Sequence, residues 1–175
     1  GANLEGSSLR YANLQKTRLI HVNLKGANLN MASLQEAVLI EADLRGAILI
    51  GADFRSALLH KSHLQNAQMI TTDLRGSFLV EANMQSVELS HAKLMQAKLK
   101  LADLREANLT AVHLEHAELV GANLRDANLS YARLQGADLR FTDFRGAFLK
   151  NANLEGAILG RETLDILDQI EILQK

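Results

Sequence analysis

The sequence predicts an all-β solenoid, a β-helix wound from about eight four-sided coils and followed by one short helix. Three observations carry that prediction. An apolar residue, nearly always leucine, recurs every five residues from Leu4 to Leu159 without a slip. Ten of the eleven glycines, Gly1 included, fall in the phase two places after that residue. The residue just before it changes character with a period of ten.

The five-residue beat is the first element. Call the recurring leucine position i. The column includes Leu44 and Leu104, and takes Phe54, Met69, Met84 and Phe144 in place of leucine. Position i−2 is usually alanine, with Ser7, Thr17, Ser62, Thr72, Ser77 and Thr142 among the exceptions. An α-helix cannot use this spacing, because five residues advance ~140° and would smear the leucines around the axis. A continuous strand fails as well, since its side chains alternate with period two. A short extended segment with a corner after each pentad solves the problem. Positions i−2 and i then point inward, i−1 and i+1 outward, and i+2 sits at the corner. Glycine suits i+2, where a positive φ is useful. Inward hydroxyls are expected to find backbone carbonyls.

The ten-residue rhythm sets the number of sides. At i−1, residues 3, 13, 23 and onward to 153 are all polar, whereas the interleaved set includes Val38, Ile48, Leu58, Phe78, Phe148 and Ile158. Alternation of sides favours an even number, and four sides make ~20 residues per coil. Eight coils stacked at the inter-strand spacing give a rod roughly 40 Å long.

The units Ala12-Asn13-Leu14-Gln15-Lys16, Ala42-Asp43-Leu44-Arg45-Gly46 and Ala122-Asn123-Leu124-Arg125-Asp126 carry a resemblance. The motif Ala-(Asp/Asn)-Leu-Xaa-Xaa resembles the pentapeptide-repeat family, over residues 1–160 and without a projecting loop, as in the regular cyanobacterial members. The resemblance implies a right-handed quadrilateral β-helix.

Residues 161–175 form the last element. After Gly160 the five-residue beat stops and helical spacing begins, with Ile166, Leu167, Ile170 and Leu173 on one face. Thr163 is the expected N-cap, and Asp165 suits the first turn. An exposed ladder end is an aggregation template, so this amphipathic helix is expected to cap the eighth coil, or to join two copies through the end of the rod. The chain begins at Gly1, inside a repeat, which leads us to expect preceding residues that cover the other end.

Composition narrows function. There is no cysteine, so neither a disulfide framework nor a thiolate site is available. No apolar run reaches the ~20 residues of a membrane span. The repeats hold 17 basic and 16 acidic residues, too balanced for a nucleic-acid surface, and the basic spot at Lys93, Lys98 and Lys100 lacks stacking aromatics. The pairs His60/His63 and His113/His116 lack a convincing third metal ligand. Asp103/Arg105, Asp126/Arg125 and Asp143/Arg145 are read as a charge ladder on one polar side. No catalytic arrangement, cofactor site or pocket is expected, and the reading is of a non-enzyme.

The feature with functional promise is apolar. Ile20, Val38, Ile40, Leu58, Phe78 and Val80 are expected to line one side over the first four coils, with Ile48, Ile50 and Ile70 opposite. Outward β-branched residues also serve strand structure, but a contiguous patch of this kind marks a protein-contact surface. The function read from the sequence is therefore a non-catalytic scaffold or protein-interaction module. Its partner is a protein of unknown identity or a second copy, met through this side. The alternative, from the resemblance, is a DNA gyrase-directed DNA mimic of the quinolone-resistance type, which needs a more acidic surface than this one. A cytoplasmic site is favoured; removal of an upstream targeting segment would instead fit an exported or thylakoid-lumen protein.

Overall fold

The computed structural model describes the backbone of residues 1–173 and the side chains of residues 1–167. The chain winds with a repeat of 20 residues, and parallel bridges join each i−1 residue to the one twenty places on, from Asn3↔Asn23 to Asp138↔Ile158. Four ladders result. The first side runs from Asn3 to Asp143, the second from Ser8 to Phe148, the third from Asn13 to Asn153 and the fourth from Arg18 to Ile158.

Each pentad spends its backbone groups in the same way. Leu64 is representative: its amide donates to Asn83 O of the next coil at 2.7 Å, and the amide of His63 donates back to Ala42 O at 2.9 Å. The amide of Asn66 adds a bond to Gln85 O at 3.1 Å. The corner is a hydrogen-bonded turn from i to the next i−2, closed here by Ala67 N to Leu64 O at 3.0 Å. The turn therefore occupies both i+1 and i+2, one residue more than the sequence alone suggests. Its positive φ is confined to i+2, the mark of a type II turn.

That positive φ is present at every corner from Gly6 to Gly156, although most carry a side chain, including Thr71, Leu101 and Phe141. Left-handed backbone costs about 1–2 kcal/mol for an ordinary residue, so the ladder bonds hold these corners against their own preference. Glycine has a second use at four of them, Gly51, Gly121, Gly136 and Gly146. A Cβ on Gly51 would meet Met31 Sδ at 2.5 Å, and one on Gly121 would meet Leu101 Cδ2 at 2.8 Å. Glycine there makes room for the long corner side chain of the preceding coil.

The polar i−1 residues have a local duty. An Asn or Asp Oδ1 at i−1 accepts the amide of i+1, as in Lys25 N to Asn23 at 3.1 Å and Arg55 N to Asp53 at 3.1 Å. This Asx turn satisfies the one pentad amide that the ladders leave over. Ile48 cannot supply it, and the amide of Ile50 turns instead to Asn30 Oδ1 of the coil before, at 3.0 Å.

Inside, leucine and alanine stack along the axis. Leu44, Phe54, Met69, Met84 and Phe144 have no exposed surface and Leu104 has 2 %. Inward hydroxyls mostly donate to backbone carbonyls: Ser77 Oγ to Leu74 O at 2.7 Å, Thr72 Oγ1 to Leu49 O at 3.0 Å, Thr142 Oγ1 to Leu119 O at 2.9 Å. Ser62 is the exception, buried without a partner among the described residues.

The helix α1, Arg161–Leu173, follows the eighth coil directly. Its first internal bond runs from Leu164 N to Gly160 O at 3.0 Å. Gly160 is thus the N-cap, and the assignment of Thr163 to that place is corrected. Thr163 lies inside the first turn, wholly buried, and its hydroxyl donates to Leu139 O at 3.0 Å. Thr142 treats Leu119 in the same manner one coil below. Thr163 therefore fills the place of an i−2 residue in a ninth coil, which is a stronger demand than capping. Ile166 and Leu167 pack on the core, while Leu164 is exposed. The side chains of Ile170 and Leu173 lie outside the described residues. No described helix is long and apolar enough to cross a membrane.

Candidate protein-contact surface

The fourth side carries an apolar stack in its lower half. The bridges Arg18↔Val38, Val38↔Leu58 and Leu58↔Phe78 set three apolar side chains directly one above another. Ile20, Ile40 and Val80 lie beside them, with His60 in the remaining place, its ring 5.9 Å from Phe78 and tilted by 37°. All six apolar residues are half-buried, because each covers its neighbours. Ile48, Ile50 and Ile70 lie likewise half-buried on the opposite, second side.

Polar and charged contacts border the stack at the corners. Lys16 pairs with Glu36 at 3.7 Å on one edge; His21 with Glu41 at 3.4 Å and Lys61 with Glu81 at 3.6 Å line the other. The stack ends where Phe78 bridges Lys98, which pairs with Glu118. An apolar centre inside a polar rim is the usual anatomy of a protein-contact patch.

Other large apolar groups are exposed near the C-terminal end, outside this stack. Phe141, Phe148, Ile158 and Leu164 are the prominent exposed groups of the C-terminal end, at 63, 57, 51 and 44 %. They belong to a corner, two opposite sides and α1, so they do not form one stack.

The charge pattern also differs from a ladder on one side. Each of the six aspartates at i−1 grips the arginine two residues on, within its own pentad. Asp43/Arg45, Asp103/Arg105 and Asp143/Arg145 do so on the first side, Asp53/Arg55 and Asp73/Arg75 on the third, and Asp138/Arg140 on the fourth. The i−1 and i+1 side chains point the same way across one short segment, so the fork closes locally. Asp126 stands at a corner, outside this geometry, and its Oδ1 occupies the space over Gly146. Nearby Arg125 lends its charge to Asp143 instead.

The arginine hydrogen bond lowers the carboxyls of Asp43, Asp103, Asp138 and Asp143 below the ordinary value of 3.8, against a smaller upward push from burial. At Asp53 burial pushes upward most strongly, yet Arg55 and Gln35 together bring the carboxyl down. A lowered folded value means stability present above pH ~4 and lost as the pH falls through it. Changing these five aspartates to asparagine keeps the Asx acceptor and removes the charge. The variant should lose less melting temperature than the wild type between pH 5 and 2, on the order of a few degrees less. Parallel acid limbs in calorimetry would show that the pairs contribute nothing.

The histidine pairs do not meet as sites. His60 is on the fourth side and His63 on the first; His113 faces Glu115 at 3.8 Å, while His116 leans over Gly136. Among the described residues no three His, Cys, Asp or Glu side chains converge.

The family model for pentapeptide repeats matches residues 1–26, 17–55, 37–76, 62–100, 102–140 and 122–161, overlapping along nearly the whole coil. The chain belongs to the pentapeptide-repeat family. Pentapeptide-repeat proteins fold as right-handed quadrilateral β-helices, which supplies the hand of the coil described above, and they are generally structural repeat proteins. The chain is similar to HetL, a pentapeptide-repeat protein involved in heterocyst differentiation regulation in the cyanobacterium Nostoc sp. strain PCC 7120. The identity is 34 %, with 90 % of this chain and 85 % of that one covered, and the TM-score is 0.49. A pentapeptide-repeat protein of the Arabidopsis thaliana thylakoid lumen is 29 % identical over 58 % of this chain and 70 % of its own, with a TM-score of 0.57. QnrB1, a plasmid-mediated fluoroquinolone resistance protein, is 15 % identical over 97 and 96 % of the two chains at a TM-score of 0.51, a likeness of fold alone. No curated protein matches this pentapeptide-repeat chain in sequence.

Proposed function

We propose that this protein is a non-catalytic scaffold that holds a protein partner against the lower half of its fourth side. The observation that carries the reading is the stack Val38–Leu58–Phe78, apolar at its centre and edged by the Lys16–Glu36 and Lys61–Glu81 pairs. The surface is nearly flat and held by ladders above and below, so little ordering opposes binding, and affinity rests on apolar area. The partner that fits is itself flat and apolar at its centre, whether a different protein or a second copy. A DNA mimic needs a strongly acidic side. Here each aspartate of the Asp–Arg pairs is neutralised where it stands.

Substitution of Val38, Leu58 and Phe78 by lysine tests the reading. These side chains point away from the core, so circular dichroism should show the β-helix intact. Immobilised wild type should retain a partner, or a second copy, that the triple variant loses. Equal retention by both proteins would remove the fourth side from consideration.

A further inference from the structure

We propose that a shallow depression on the second side, at the seventh and eighth coils, binds a neutral saccharide. The second side differs from the other three in charge: among its i−1 and i+1 residues only Arg10, Glu88 and Lys150 are ionic, and it carries none of the Asp–Arg forks. Coil seven presents the short side chains Asn128 and Ser130. Coil eight sets the tall Phe148 directly above Asn128 and Lys150 above Ser130, and the step between them makes the concavity. Glu106 and Asp126 form its rim.

The lining is chemically specific. Phe148 keeps 57 % of its surface exposed in a column whose two preceding members are asparagines. Asn108, one coil further down, spends its carboxamide on Glu88 at 2.9 Å and on Thr110 at 2.7 Å. Asn128 gives only its oxygen, to Ser130 N at 3.0 Å, so its NH2 group is turned to no protein acceptor among the described residues. A pyranose offers one apolar C–H face and hydroxyls that both donate and accept. Phe148 supplies a flat apolar partner for the first. The Asn128 NH2, the Ser130 hydroxyl and the rim carboxylates supply donors and acceptors for the second. Two carboxylates, Glu106 and Asp126, outweigh the single ammonium of Lys150, so an anionic ligand finds no excess of positive charge, and the open shape gives an acyl chain no enclosure. An extended peptide would seek the open strand edge above coil eight, where Leu149 N has no backbone acceptor among the described residues, and not the lining below it. The site lies opposite the proposed protein-contact side and does not depend on it.

Amide-resolved NMR titration with cellotetraose, maltotetraose and chitotetraose decides the matter. At least one should give saturable shifts at Asn128, Ser130, Phe148 and Lys150. Phe148→Ala should weaken that binding about tenfold, and Ser130→Ala should weaken it by a smaller factor. Both residues lie outside the core, so the spectra of the variants should otherwise overlay on the wild type. Absence of shifts at these residues with all three sugars overturns the proposal. So does binding that Phe148→Ala leaves unchanged, or shifts confined to Leu58 and Phe78.

Discussion

Replacing Phe54 with alanine should destabilise the protein by about 3–5 kcal/mol, the range for emptying a fully buried aromatic site. Phe54 is wholly buried, in the column of Leu34 and Leu74, with ladders above and below that cannot move inward to fill the space. A coil is bonded to both neighbours at every pentad, so collapse around the cavity would strain three coils at once. Phe78→Ala provides the control. That ring is half-buried on the outside, and its loss should cost roughly 1 kcal/mol. Because solenoids unfold by neighbouring units, denaturation should be paired with hydrogen exchange, which should show the largest loss of protection in coils two to four of the Phe54 variant. A greater loss from Phe78→Ala than from Phe54→Ala would reverse the assignment of inside and outside.

Ending the chain at Gly160 should lower the melting temperature by about 5–10 °C and cause self-association. The eighth coil has no coil above it. The amides of Leu149 and Leu154, which on lower coils donate upward, have no backbone acceptor among the described residues. What covers part of this end is α1, through Thr163, Ile166 and Leu167. Without it, Leu139 O loses its Thr163 bond and Phe144 and Ala147 meet water. The bared coil would then offer its unpaired ladder edge to other copies, and an exposed edge of this kind is an aggregation template. Light scattering should detect the growth, and Thr163→Val should reproduce part of the thermal loss without it. A monomeric truncated protein with unchanged protection in coil eight would show that α1 is not a lid.

How far the residues alone lead can be judged from particular positions. Phe54 and Phe78 are the same side chain, and their opposite fates follow from place in the pentad, i against i−1. That distinction was readable because every pentad obeys it and a slip would expose a core residue at each coil. Asp103/Arg105 was harder. The two stand two residues apart in sequence, but only the structure shows that their side chains close a fork within one pentad. Thr163 misled for a related reason. It has the right composition for a cap, and its real acceptor, Leu139, is 24 residues away. For the candidate contact side, periodicity named Val38, Leu58 and Phe78 as stacked. It could not show their half-burial, or the ion pairs that edge them.

The sequence by itself determined a cornered coil with a leucine core, because a pattern repeated every five residues buries all the leucines together only if the chain turns after each pentad. The ten-residue rhythm favoured an even number of sides, and the resemblance to the pentapeptide-repeat family made that number four. Tertiary structure alone decided which groups twenty or more residues apart would meet. Thr163 closing on Leu139, Met31 lying over Gly51 and Phe148 rising over Asn128 all depend on the stacking of successive coils, and a local pattern carries no record of the neighbour above.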